Sequence, residues 1–383
     1  MTFSYVRAPF VKHALASAAF LLAALTVQFT PGGSQGAALA QENEYADTPA
    51  LVTFGPAARR IEGDHDFRQF IRFSVPEDAG ALYLRVFDPD NGGKHDETIG
   101  FDRGHTRFSL YGAGSDMRLW RDEDGVVQEN VEGEAITSAE FGADPAIDDT
   151  WHGLFVFDSE DGRPAGDGRR EFVLAVEGVD GDGGNVFDVA ISTSETGNVQ
   201  PDGIDIYSYV PTFQVSRKGT FVELRFRLPE TARSLVVENY DSAGGHVAYA
   251  GRFRTVPIEA SRKSEWSRSR VELEASEPGR MGSVTMAEGG ETPNDVTVFV
   301  GALVNGDDAV EQPVAVELPL RVFAPYPRPE IEYRLQPGSC GDMTFDASAS
   351  VDPGGGPLSW AWRLNDGDTL SGAEILRRFE QPG

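Results

Sequence analysis

The feature that most constrains this chain is a recurrence of short period-two runs cut off by turn residues. Residues 221–228 are the cleanest: Val222, Leu224, Phe226 and Leu228 alternate with Glu223, Arg225 and Arg227. Successive side chains of a strand point to opposite faces, so this run has one apolar and one charged face. Phe187, Val189 and Ile191 alternate with Asp188, Ala190 and Ser192 in the same way. Similar runs predict strands at 67–75, 81–87, 106–111, 153–157, 171–178, 235–240, 271–275, 296–304 and 314–323. Pro319 inside the last of these predicts an edge strand, because proline cannot donate to a ladder. With 43 Gly and 23 Pro in 383 residues, and no sustained 3.6-residue period, the chain reads as all-β.

The runs repeat. Arg72-Phe73-Ser74-Val75-Pro76-Glu77-Asp78-Ala79 matches Arg225-Phe226-Arg227-Leu228-Pro229-Glu230-Thr231-Ala232. The ungapped register continues through Leu82 and Leu235, Phe87-Asp88 and Tyr240-Asp241, and Gly92 and Gly245. Val179-Asp180-Gly181-Asp182 and Val304-Asn305-Gly306-Asp307 follow in the same order. A duplicated β-sandwich module is the expectation, with a first copy at 50–197 and a second at 204–324. A stiff connector at 325–329, with prolines at 325, 327 and 329, precedes a third domain at 330–383.

In that third stretch, Phe345-Asp346-Ala347-Ser348-Ala349-Ser350-Val351-Asp352-Pro353-Gly354 is a strand followed by a turn. A second strand then alternates Leu358, Trp360 and Trp362 with Ser359, Ala361 and Arg363, and Asp366-Gly367 makes a second turn. The D-A-S-x-S-x-D-P-x-G segment, the W-x-W strand, the D-G turn and the later S-G-A and P-G steps resemble the PKD domain. That family is an immunoglobulin-like β-sandwich of extracellular proteins. The expected fold class is therefore all-β: tandem β-sandwich modules followed by an incomplete immunoglobulin-like PKD sandwich. The resemblance covers 339–383, and a whole PKD domain would add strands beyond it. Without them the W-x-W sheet is expected to keep an unpaired edge.

The N-terminus suggests the compartment. Arg7 and Lys12 precede the uncharged apolar run 14–27, and Ala38-Leu39-Ala40 is a small-x-small step before Gln41. This reads as a signal peptide at 1–40, followed by an acidic linker at 41–49. No other apolar stretch is long enough to span a bilayer, so no transmembrane segment is expected. The net charge of −28 excludes nucleic acid as a partner, because phosphate binding needs a basic face. Cys340, the single cysteine, allows no internal disulfide. It is either a small buried hydrophobe or has a partner beyond residue 383.

Two acidic turns are candidate metal sites. Asp88, Asp90 and Asn91 in Asp88-Pro89-Asp90-Asn91-Gly92-Gly93, and Asp180, Asp182 and Asn185 in Asp180-Gly181-Asp182-Gly183-Gly184-Asn185, place oxygen ligands around glycines. Ca2+ takes several carboxylate and carbonyl oxygens around a tight bend. The same residues are also those any hairpin turn prefers. Trp120, Trp151 and Trp266 are either sugar-stacking platforms or core residues. Arg262, Lys263, Arg268 and Arg270 around Trp266 form a basic run suited to an acidic partner or to a charged strand edge. The six histidines show no zinc-ligand spacing, and no nucleophile elbow or phosphate loop is present. The reading is a non-enzymatic cell-surface or secreted protein that binds protein or polysaccharide, or acts as a spacer. The alternatives, implied by the PKD resemblance, are the front part of a larger secreted hydrolase or of an envelope protein with a C-terminal anchor.

Overall fold

The computed structural model describes residues 26–28, 49–59, 67–97, 104–215, 221–251, 254–287, 289, 295–304, 310–323, 331–336, 338, 341–350, 360–363 and 369–379. The rest of the apolar N-terminal run, the connector at 325–329, Cys340 and the turns around Asp352 and Asp366 lie outside them. The chain divides into a unit spanning 47–322 and a second unit combining 1–46 with 323–383.

In the 47–322 unit, eight strands occur in one order and then occur again. The first set has Leu51–Phe54, Arg68–Pro76, Ala81–Phe87, Thr106–Tyr111, Thr137–Phe141, Trp151–Asp158, Arg169–Gly178 and Gly184–Ser192. Its second, seventh, fourth and fifth strands are neighbours in one sheet, and its first, eighth, third and sixth in the other. The second set has Thr212–Gln214, Phe221–Arg227, Ala232–Tyr240, His246–Ala250, Thr255–Ile258, Trp266–Glu272, Met281–Ala287 and Asp295–Val304. Its neighbour order is the same. The pairing also places Phe87 opposite Trp151 and Tyr240 opposite Trp266, so the two sets share their strand register at this corner.

The two sets share both of their sheets. Asp205–Ser208 pairs with Arg68–Pro76 on one side and with Val316–Glu317 on the other, and Val316 in turn pairs with Phe226. Pro211 interrupts the chain, which then enters the opposite sheet. There Phe213 lies opposite Leu51 of the first set and Val296 of the second. Ile206, Phe213, Val215, Val314 and Val316 are buried in one apolar core that runs from Leu51 and Phe73 to Val284 and Val300. Residues 204–215 therefore lie inside the structure, knitting the sets together. Pro319 does not mark an edge strand. The run 314–323 is split around it into Val316–Glu317, which is central in its sheet, and Arg321–Phe323.

Alternation explains most of this. Phe221–Arg227 buries Val222, Leu224 and Phe226 and turns Glu223, Arg225 and Arg227 outward. Gly184–Ser192 departs from the expected two-faced strand because both faces are covered. Ser192 on its second face is buried by accepting the amides of Ser194 and Val199 at 2.9 and 3.0 Å. A two-stranded ribbon, Asp116–Arg121 with Val127–Glu132, stands off the first set. Met117 and Val131 pack on Phe70, Val173 and Ala175, while Arg121 reaches Glu238 of the second set at 2.9 Å.

In the second unit, Glu332–Leu335, Asp342–Asp346 and Glu374–Arg378 form one sheet. Ala361–Arg363 pairs with Thr369–Ser371 and, on its other side, with Thr26–Gln28. The edge of the W-x-W strand expected to be open is thus covered by the end of the N-terminal apolar run. Trp362 is fully buried beside Ala347 and Ile375 and donates its indole N–H to the Gly372 carbonyl at 2.6 Å. Trp360 donates to the Ala347 carbonyl at 3.1 Å. Asp346 accepts from the Ser348 amide and hydroxyl at 2.9 and 2.6 Å, which fixes the turn of the D-A-S segment. These bonds hold the Asp346 carboxyl below its usual range.

Candidate metal centre

The Phe87–Trp151 pairing brings two turns together at one end of the first set. Asp88 follows Ala81–Phe87 and has a left-handed φ of 50°; Asp149 precedes Trp151–Asp158 with a φ of 55°. Aspartate tolerates this region better than most residues. Asp88, Asp90 and Asp148 each turn a carboxylate oxygen inward, and these oxygens lie within 4.8 Å of one another. Asp88 and Asp90 are fully buried. Both oxygens of Asp88, Oδ1 of Asp90 and Oδ1 of Asp148 are buried without a well-formed hydrogen bond; the Asp149 amide approaches Asp88 closely enough only to lower its carboxyl somewhat. Asn91 is buried beside them; its Nδ2 reaches Thr106 Oγ1 at 3.3 Å, and its Oδ1 has no donor. Gly92 makes room for the approach, since a Cβ there would stand 2.4 Å from Asp148 Oδ1.

The remaining acids of this corner are satisfied. Asp96 accepts the Gly92 amide at 2.6 Å and the Val186 amide at 2.7 Å, bracing the loop against the next strand. Asp149 accepts the Lys94 amide at 3.2 Å, and the His95 ring lies 3.7 Å away. Asp90 Oδ2 accepts the Asp144 amide. No Lys or Arg among the described residues forms an ion pair with Asp88, Asp90 or Asp148. Burial pushes the Asp88 carboxyl up to about 7; the Asp149 amide offsets part of this, and Asp149, Asp90 and Asp148 add repulsion. Asp96 is pushed up to about 9, chiefly by burial, against the pull of the Val186 amide. Burial also raises Asp90, with repulsion from Asp148 and Asp144. In chemical terms the corner is a hard, all-oxygen, negatively charged pocket, suited to a cation that prefers oxygen ligands.

The other candidate loop is built differently. Asp180 is exposed and takes a 2.9 Å contact from His105 Nδ1, which holds its carboxyl below the usual range. Asp182 is half-buried with Oδ1 unpartnered, and Asn185 is fully buried with neither side-chain amide atom bonded. Neither Asp180 nor Asp182 joins the converging group of Asp88, Asp90 and Asp148. Asp148 was not singled out from the sequence, because it lies some 60 residues from Asp88 in an ordinary-looking turn. Only the strand register joins the two.

The tryptophans and the basic run are largely structural. Trp151 packs edge-on to Phe87 at 5.7 Å, and Trp266 lies against Tyr240 at 5.3 Å. Trp120 stands on the ribbon, 44% exposed, along a groove also lined by Met117 and Leu119. Arg268 is bound to Glu311 at 2.5 Å and to Glu238, Arg270 to Glu272 at 2.7 Å, and Arg262 reaches Glu265 at 4.0 Å, so three of the four basic residues have acidic partners.

Comparison with known families gives one match: residues 326–383 fit the family model of the PKD domain. No curated protein and no solved structure matches the chain. The C-terminal stretch is thus a PKD-type domain, an immunoglobulin-like β-sandwich, on an otherwise unassigned all-β chain. No helix among the described residues is long and apolar enough to cross a membrane.

Proposed function

We propose that this is an exported, non-enzymatic protein that works outside the cytoplasm as an interaction or spacer module. The PKD match at 326–383 carries the reading, because domains of this family are typical of extracellular proteins and often mediate interactions there. The basic start, apolar run and Ala38-Leu39-Ala40 step of the N-terminus support it. So does the unit 47–322. Two strand sets that share both sheets and one core form a stiffer body than two domains on a flexible tether. Protein or polysaccharide at a cell surface is the class of partner we assign.

The test is to fuse residues 1–45 to a reporter enzyme that lacks its own leader and is active only outside the cytoplasm. Activity in whole cells, with a mature N-terminus at Gln41, supports export. An uncleaved reporter retained in the cytoplasm contradicts it. Cleavage at Ala40 also removes Thr26–Gln28 from the sheet of Ala361–Arg363.

A further inference from the structure

We propose that Asp88, Asp90 and Asp148 bind one Ca2+ ion, which ties the turn after Ala81–Phe87 to the turn before Trp151–Asp158. Three observations carry this. The first is geometric. Oxygens no more than 4.8 Å apart can all reach one ion at Ca–O distances of about 2.4 Å with shifts of at most a few tenths of an ångström. The second is the cost of the arrangement without a cation. Asp88 is fully buried and turns a carboxylate oxygen into the pocket, with the nearby Asp149 amide as its one weak donor and no cation beside it. A buried carboxylate left without a counter-charge is strongly unfavourable.

The third is an internal control. The corresponding corner of the second set has the same strand register and a single carboxylate. Asp241 and Ser264 occupy the places of Asp88 and Asp149, with φ values of 59° and 55°. Ser264 donates its amide to Asp241 Oδ1. Ala243 follows Asp241 at the spacing at which Asp90 follows Asp88, and Lys263 precedes Ser264 as Asp148 precedes Asp149. The turn is closed by hydrogen bonds instead: the Ser242 amide donates to Ser261 Oγ at 2.9 Å, and the Ser261 amide to Asn239 Oδ1 at 2.8 Å. The fold can therefore make this corner without converging carboxylates. Those of the first set meet the Asp144 and Asp149 amides and still leave buried oxygens matched to a cation.

The unpartnered Oδ1 of Asn91 is a further oxygen ligand at hand, and Asp96 and Asp149 position the loop through the amides from which they accept. Carboxylates with no imidazole or thiolate among them favour Ca2+ over zinc or copper.

The experiment uses the full chain, with thermal melting and isothermal titration calorimetry in 1 mM CaCl2, 1 mM MgCl2 or EDTA at matched ionic strength. The wild type is expected to bind one Ca2+ at this pocket and to gain several degrees in Tm over EDTA. Asp148→Lys and Asp90→Ala, which copy the second set, are each expected to remove that heat and that shift. In EDTA, Asp90→Ala also loses the bond to the Asp144 amide, while Asp148→Lys should melt at or above the wild type because repulsion is relieved. This separates loss of a site from loss of fold. Asp88→Asn, which tolerates the same backbone, should also lose the response. No calcium response in the wild type overturns the proposal, as does a response that survives Asp148→Lys. A larger shift with Mg2+ than with Ca2+ overturns the choice of ion.

Discussion

Replacing Phe213 by alanine would report whether the two strand sets stand or fall together. Phe213 is fully buried, and its backbone lies between Leu51 of the first set and Val296 of the second. Removing a buried phenylalanine ring costs about 3–5 kcal/mol in lost burial and residual cavity. For a body this large, 1 kcal/mol corresponds to roughly 2 °C in melting temperature, so Tm should fall by about 6–10 °C. Hydrogen exchange read by mass spectrometry would locate the effect. Amides of Gly184–Ser192 and of Asp295–Val304 should lose protection to a similar degree, since one core supports both. If only one set loses protection while the other keeps its wild-type exchange, the shared core does not make a single cooperative body, and the reasoning is wrong.

Other substitutions test separate links. The Glu129 side chain is 5% exposed and lies 3.3 Å from Arg72, and burial pushes its carboxyl from 4.5 to about 7 despite the arginine. A raised folded-state value means that the folded protein holds this proton more tightly. Its stability contribution is full below pH 4.5 and lost as pH rises through about 7, a swing on the order of 3 kcal/mol. Glu129→Gln should flatten that part of the stability–pH curve in urea titrations. An unchanged slope would refute it. Arg121→Ala strips one partner from Glu238, which keeps Arg268, so the cost should be about 1–2 kcal/mol rather than the 3–5 typical of a fully orphaned buried charge. Denaturant titrations and a double-mutant cycle with Glu311→Gln would measure it, and a neutral result would mean the ribbon does not clamp the second set. Trp362→Ala removes the largest buried side chain of the PKD core and should cost the second unit about 3–5 kcal/mol. Near-ultraviolet dichroism during melting would show whether that unit alone is weakened.

How much of this could be read from the sequence follows the physics of each signal. Phe221–Arg227 and Ala81–Phe87 were legible because a strand with one wet face writes its period into the residues. His246–Ala250, Met281–Ala287 and the bridging strands at 205–208 and 212–214 were not, since short or mixed runs carry too little alternation to stand out. The match of Phe87-Asp88 with Tyr240-Asp241 anticipated the repeated strand order. The fusion of the two sets was hidden, because Pro201, Asp202 and Gly203 look like a linker whether or not the next residues enter a sheet. At the acidic corner, Asp88, Asp90 and Asn91 could be picked from their spacing. Asp148 could not, because register and not sequence distance brings it there. Asp180 shared the composition of the first loop and became an exposed partner of His105.

The most direct test of the calcium pocket is diffraction from crystals of the full chain grown with Ca2+ or soaked in Tb3+, read by anomalous scattering. A single strong peak about 2.4 Å from oxygens of Asp88, Asp90 and Asp148, with none beside Asp241, is the predicted result. A loaded crystal in which that pocket shows no peak, or in which the Asp241 corner is occupied equally, would contradict it.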